Sequence, residues 1–527
     1  MNSQEPGLLT TDVTFSEATA VTDRTVVTKG NSYEEHLKTD HLLANLKRHT
    51  ISGGAVTISS QAAKFLLNLA STAILARLLA PKDFGLVAMV TVVTGFLAVF
   101  RHAGLSTPTV QREHITQAQV SNLFWINLGV SGLCALVLAS LAPALAWFYH
   151  DPRITLITLF LSTTFVIGGF RVQHLALLKR QMRFKAIALV EVGSMATGVV
   201  VAIVLALLHF RYWSLVGSSL AMEFAAFVLT GFVSKWRPQR PTRNSNVGPL
   251  VAFGIHQTAA NFIFALARGC DNLLIGRIYG AVSVGIYSRA ASLVSRPLEQ
   301  FLLPIDAVFL PVLSRLQSQP VRYRLTFLRI YEAIAVSVFF FSSLLLALAV
   351  PITLVLLGPK WEQASTIFAG FSFMAIQLPL ANAANWLLTS QGRGRDIFWV
   401  SSIAALLTVA SIVAGLPFGP VGVAFAFSAS GLLVRLPILY RIIGRSGPVT
   451  TSDLWMAFLR HLPLWIVIFA ATSLARAMVA SFHPLSQLLV CAPVGAAVGI
   501  LYICAFPSQR KVAAFLLGIV RELLSHR

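Results

Sequence analysis

The chain has 527 residues, of which 56% are hydrophobic and only 12% charged, and its mean hydropathy is +0.74. This composition excludes a water-soluble enzyme and a secreted, disulfide-stapled domain, and defines a polytopic membrane protein. The 41 Lys and Arg against 20 Asp and Glu give +21; in a membrane chain that excess is first a question of which side holds the charges, so no nucleic-acid partner is expected.

Residues 1–50 are polar and Thr-rich (TTDVTFSEATAVTDRTVVTKG) and lack an apolar core segment, which predicts a disordered cytoplasmic tail, not a signal peptide. Counting about 20 residues per crossing, hydropathy with Pro/Gly and charge punctuation predicts spans near 52–76, 84–104, 119–148, 154–178, 186–207, 213–234, 249–276 and 284–311. Six more fall near 330–357, 365–390, 397–416, 421–440, 462–480 and 485–506, about fourteen in all. The final PSQRKVAAFLLGIVRELLSHR is too short and too charged to cross and reads as an amphipathic surface helix. Cys134, Cys270, Cys491 and Cys504 sit in apolar runs without metal-ligand spacing and read as small hydrophobes.

One set of alternate connections carries KRQMRFK, KWRPQRPTR, RLQSQPVRYRLTFLR, QGRGRD and the arginines between Arg441 and Arg460, besides both tails. The other set carries little more than Arg77, Lys82, Arg153, Arg211, Arg277, Lys360 and Arg476. The asymmetry predicts cytoplasmic N- and C-termini.

An internal repeat is visible at an offset of 200 residues: LARLLAPKDFGL (75–86) aligns without gaps on IGRIYGAVSVGI (275–286), sharing Arg77/Arg277 and Gly85/Gly285. Both segments close the first helix of a six-helix block. The expected fold is therefore all-α, with two six-helix lobes in parallel pseudo-repeat at 51–245 and 246–445. Two further helices follow within 446–506, and a cytoplasmic amphipathic tail occupies 507–527. Parallel repeats of this kind hold a substrate site between the halves and alternate its access.

Ionisable side chains inside spans are costly and normally face a cavity or a partner. The basic ones are Lys64, Arg101, Arg171, Arg268, Arg289, Arg296 and Arg435; the acidic ones are Glu191, Glu223, Asp271, Glu299, Asp306 and Glu332. They concentrate in the seventh and eighth spans. Arg268 with Asp271 and Arg296 with Glu299 are three residues apart, a spacing that either neutralises each pair or leaves it to act. Arg289 and Arg296 are two turns apart and share a face with Glu299, where they could line an anion track. Lys64 has no acidic residue at three or four positions and either snorkels or faces a polar cavity made with Ser59, Ser60, Gln61, Asn68 and Ser71. His102, His174 and His256 fall near or within spans, as structural or titrating groups. No catalytic or metal motif stands out, and the outward connections are short, the longest being RAMVASFHPLSQ; a membrane glycosyltransferase, polymerase or ligase is disfavoured.

Several segments together resemble the polysaccharide transporters of the multidrug/oligosaccharidyl-lipid/polysaccharide flippase superfamily. They are ARLLAPKDFGLVAM (76–89), HAGLSTPTVQR (102–112), SNLFWIN (121–127), KRQMRFKAIALVE (179–191), RYWSLV (211–216), CDNLLIGRIYGAVSVGIYSRA (270–290), FLPVLSRLQ (309–317), LGPKWEQA (357–364) and LLTSQGRGRD (387–396). The resemblance spans 50–445 and implies a V-shaped bundle of six plus six helices with two more, working by alternating access in the bacterial inner membrane. It implies as substrate an undecaprenyl-diphosphate-linked oligosaccharide for exopolysaccharide or O-antigen synthesis, received in a cationic cavity, with polysaccharide polymerase or co-polymerase machinery as further partners. On that reading Lys64, Arg268, Arg289 and Arg296 contact the anionic head group, and Asp271 and Glu299 serve gating or ion coupling. No cofactor or metal is called for; coupling to a proton or sodium gradient stays open. The alternative is an ion-coupled drug exporter of the same fold, against which the excess of Arg over acidic residues counts.

Overall fold

The structure is a computed structural model that describes residues 46–101, 106–112, 115–242 and 247–525; of the predicted tail at 1–50, residues 1–45 lie outside them and Leu46–Thr50 are helical. All regular structure among the described residues is helical. In chain order the first helices are α1 (Leu46–Leu78), α2 (Pro81–Arg101), the short α3 (Ser106–Gln111), α4 (Gln117–Tyr149), α5 (Arg153–Arg180), α6 (Phe184–Leu207) and α7 (Trp213–Ser234). After α8 (Gly248–Arg315) come α9 (Pro320–Ala347), α10 (Ala349–Leu357), α11 (Ala364–Ser372), α12 (Met374–Ser390), α13 (Gly394–Gly415), α14 (Gly419–Ser430) and α15 (Leu436–Ile443). The last three are α16 (Thr451–Met478), α17 (Pro484–Ala505) and α18 (Pro507–Ser525).

Local chemistry sets the boundaries. Proline opens α2 where its missing N–H costs nothing, and Asp83 accepts the Ala80 N–H at 3.1 Å. Thr116 and Gln119 form a capping box at the start of α4, and Thr450 and Asp453 form another at α16.

Among the described residues, ten helical segments are long and apolar enough to cross a membrane. With α1, the two limbs of α8, and the break at Leu416–Phe418 that divides the segment Gly394–Ile443, the helices are compatible with the predicted fourteen spans.

The 68 residues of α8 would run about 100 Å if straight, three times the bilayer core. Gly280, at φ 75° and ψ −176°, breaks it; only glycine adopts that conformation without strain. The limbs at 248–279 and 281–315 then lie side by side, because the Tyr287 hydroxyl donates to Asp271 at 3.0 Å, a pair that a straight helix would hold about 24 Å apart. The sequence reading of two spans separated near 277–283 is thus met by a single glycine hinge.

Helices α4 with α5, α6 with α7, α5 with α7 and α1 with α6 form a first group; α8 with α11 to α14, and α9 with α12 and α16, form a second. The groups meet chiefly where α2 crosses α8. There the backbones touch: a Cβ on Gly85 would stand 1.6 Å from the Ala281 carbonyl oxygen, and one on Gly285 would stand 1.9 Å from that of Pro81. A shared core fills the junction, with Leu75, Phe84 and Met89 against Tyr287, Trp361 and Phe368.

Two segments read from sequence as solvent-facing are anchored. In the basic stretch 235–242, Trp236 is buried with Phe124 and His174 and donates to Gln117 at 2.7 Å, while Asn122 exchanges two hydrogen bonds with Thr242. The amphipathic α18 forms as predicted, and it buries Val512 against α9 and α16.

Candidate transport cavity

Most of the charges inside the helices are consumed by partners on neighbouring helices. Lys64 of α1 donates to Glu191 of α6 at 2.6 Å, so the lone cation of the sequence reading has a counterion that only the packing reveals. Arg101 and Arg171 share Glu223 of α7, at 3.6 and 3.2 Å. Asp306 accepts from the Asn382 amide at 2.6 Å and the Trp386 indole at 2.8 Å. Arg435, beside a short π-helical stretch at Gly431–Arg435, donates to Thr408 at 2.9 Å and to the Phe427 carbonyl at 2.6 Å. Glu332 pairs with Arg460.

Arg289 and Arg296 are treated differently. Both line a cavity of about 630 Å³ at the junction of the two groups, enclosed by α1, α2, α6, α7 and both limbs of α8. Its polar lining comes from Asn68, Ser71, Thr91, Ser218, Asn272 and Ser292, among others, and no acidic side chain of the described residues lines it. The Arg289 guanidinium lies over the Phe84 ring at 4.6 Å, and its Nε is buried without a hydrogen-bond partner among the described residues. A buried guanidinium with an unused donor, in a cavity where no described residue places a carboxylate, is suited to receive an anion.

The predicted site is therefore brought together only in part. Arg289 and Arg296 share the cavity. Lys64 is spent on Glu191 and is not among the lining residues. No ion pair joins Arg296 to Glu299 among the described residues; both are exposed, and Arg296 turns to the cavity. Of the two readings of that spacing, the internally neutralised pair is not found among the described residues. Asp271 is held by the Tyr287 hydroxyl, while its neighbour Asn272 faces the cavity. The side chain of Arg268 lies outside the described residues, as do those of His102 and His256.

One end of the cavity, near Gly280, is sealed by contacts that sequence reasoning did not single out. The Trp361 indole donates to the Ala76 carbonyl at 2.8 Å and packs edge-on against Phe84 at 5.3 Å. Arg77 donates to the Val355 carbonyl at 3.0 Å, and Arg277 meets His150 at 3.3 Å and Phe148 at 5.7 Å. Next to that contact, the Arg153 guanidinium holds the Asp151 carboxyl below the usual carboxylate range. The signal was present: Trp361 belongs to LGPKWEQA and the two arginines to the internal repeat.

Two groups of membrane helices that close over a cationic cavity define a transporter. The chain belongs to the polysaccharide biosynthesis protein family, whose model matches residues 74–366. It is 27% identical over 360 residues to the succinoglycan biosynthesis transport protein ExoT of Rhizobium meliloti, covering 68% of this chain and 73% of that one. To the lipopolysaccharide biosynthesis protein WzxC of Escherichia coli it is 23% identical over 439 residues, covering 81% and 88%. In fold it is similar to the lipid II flippase MurJ in an inward closed conformation, with a TM-score of 0.66 at 12% identity over 86% of this chain and 99% of the other. A multidrug resistance transporter of the MATE family in the MOP superfamily, inward-facing, gives 0.52 at 14% identity over 78% and 98%. The polysaccharide-transporter resemblance read from the motifs is thereby borne out.

Proposed function

We propose that this protein is a flippase that carries undecaprenyl-diphosphate-linked oligosaccharide repeat units across the bacterial inner membrane, for exopolysaccharide or O-antigen synthesis, by alternating access. The observation that carries this reading is that Arg289 and Arg296 share a cavity with no acidic side chain of the described residues on its wall, while Lys64, Arg101, Arg171 and Arg435 are engaged by groups on neighbouring helices. A diphosphate drawn into a low-dielectric passage needs such countercharge. Among the described residues the same wall offers no acidic group of the kind that a cationic drug would require.

In this reading the lobes at 51–245 and 246–445 rock about the α2–α8 junction, and the Gly280 end faces outward. The clustering of Arg183, Arg237, Arg324 and Arg393 at the opposite end supports cytoplasmic termini. Arg268 joins the anion contacts; Lys64 acts with Glu191. Asp271 and Glu299 serve gating or ion coupling, with a proton or sodium gradient as the source of drive. Polysaccharide polymerase or co-polymerase machinery receives the product.

The test is the sidedness of lipid-linked oligosaccharide in cells lacking the protein, probed by a periplasmic enzyme that reaches only outward-facing glycan. Protected intermediate should accumulate, and should be cleared by the intact gene but not by Arg289→Ala or Arg296→Ala at equal protein level. Export that is normal in both variants would refute the cavity assignment.

A further inference from the structure

The cavity and the sealed outward end are joined by a short series of contacts, each of which crosses from one group of helices to the other. Arg289, on the C-terminal limb of α8, lies over Phe84 of α2 at 4.6 Å. Phe84 meets Trp361, between α10 and α11, at 5.3 Å. The Trp361 N–H closes on the Ala76 carbonyl of α1 at 2.8 Å. Phe84 and Trp361 are almost wholly buried, at 2% and 0% exposure, so neither ring can shift without disturbing the other. Phe84 also precedes Gly85, where the helices touch, which leaves its backbone no freedom to compensate.

We propose that Phe84 is the positioning residue through which a diphosphate on Arg289 weakens the outward seal; this rests on the reading of the cavity as the diphosphate site. A guanidinium facing an aromatic ring is held by the ring's quadrupole, and the same guanidinium facing a phosphate is held by charge and by directed hydrogen bonds, which are stronger. An anion entering the cavity therefore draws Arg289 off the ring. Phe84 then loses the contact on one side that presses it against Trp361 on the other, and the Trp361–Ala76 bond is left with less support. The anion thus interacts more favourably with the protein once the seal is loosened, and this differential affinity is what shifts the population toward outward opening. By reciprocity, weakening the seal raises affinity for the anion.

The test uses the full chain in oriented proteoliposomes, with the native cysteines replaced and Thr91→Cys on the cavity wall as the reporter. Undecaprenyl diphosphate is the probe, and a membrane-impermeant thiol reagent is added from the outward side. With Phe84 in place the diphosphate should raise the labelling rate by about fivefold or more. Phe84→Leu, or Phe84→Met should the leucine variant fold poorly, should bind the probe no less tightly and label faster without it. The increase on adding the diphosphate should be almost lost, and Phe84→Tyr should restore it. A full diphosphate response in both non-aromatic variants would overturn the proposal. The underlying reading fails separately: probe binding that Arg289→Ala and Arg296→Ala leave unchanged would remove the diphosphate site itself, and the role of Phe84 with it.

Discussion

Gly85 and Gly285 meet backbone to backbone, and a Cβ placed on either would stand 3.0 Å from the amide nitrogen of the other. They are separated by 200 residues, the offset at which LARLLAPKDFGL aligns on IGRIYGAVSVGI. The contact is therefore between equivalent positions of two repeats and lies on their approximate twofold axis, where a self-complementary patch must form.

Because the nearest atoms are carbonyl oxygens and amide nitrogens, no side-chain rotation makes room for a larger residue there. Gly85→Val should force α2 and α8 apart at the outward end, and Gly285→Val should do the same to a similar degree, each at a cost of at least about 1–3 kcal/mol. Outward labelling of Thr91→Cys should rise in both. Equal labelling in parent and variants would show that the crossing is not part of the seal.

Arg77 and Arg277, each eight residues before its glycine, repeat the symmetry. Arg77 caps the C-terminal end of α10 through the Val355 carbonyl, and Arg277 reaches His150, the C-cap of α4. Each cation thus sits at the negative end of a helix from the opposite group. At an exposed site this is worth about 0.5–1 kcal/mol, so Arg77→Ala and Arg277→Ala should each raise the outward-open fraction about two- to fivefold. The two arginines share no partner in these contacts, so the double variant should combine the two effects. Global stability should change little, and a Tm unmoved while labelling rises is the expected pair of readings.

Sequence alone gave the spans, the repeat, and the two cavity arginines, because helix periodicity and the cost of charge in lipid are local properties. It did not give the counterions. Lys64 and Glu191 are separated by 127 residues, and Arg171 and Glu223 by 52, so spacing rules within one helix could not pair them. The same rules left Arg296 and Glu299 open between mutual neutralisation and separate roles. Being three apart permits a contact, but the cavity offers Arg296 a polar and solvated alternative. Phe84 and Trp361 were hidden for another reason: an aromatic residue in a membrane span looks like any other core residue until its partners are known.

The Lys64–Glu191 pair is partly accessible, with side-chain exposures of 20% and 33%, so its loss should be milder than that of a fully buried pair. Lys64→Met should destabilise by about 1–2 kcal/mol through the stranded carboxylate, and Lys64→Met with Glu191→Gln should recover most of it. The measurement is thermal unfolding in detergent together with export activity. If Lys64 instead contacts the transported head group directly, the double variant will be stable and inactive.

Arg289 and Arg296 should contribute unequally. Arg289 is more enclosed and has an unused buried donor, whereas Arg296 stands at a more solvated position, where water screens its charge. A charge-assisted hydrogen bond of about 1.5–3 kcal/mol converts to a roughly 10- to 100-fold loss of affinity for undecaprenyl diphosphate in Arg289→Ala. Arg296→Ala should lose less, and its affinity should depend less steeply on salt than the parent's, because the charge removed is the one that salt screens. Arg289→Lys keeps the charge but gives up the planar fork, and should fall between parent and alanine variant. Direct binding measured at two ionic strengths separates these outcomes; an Arg289→Lys protein as weak as Arg289→Ala would mean that geometry, not charge, dominates recognition at this position.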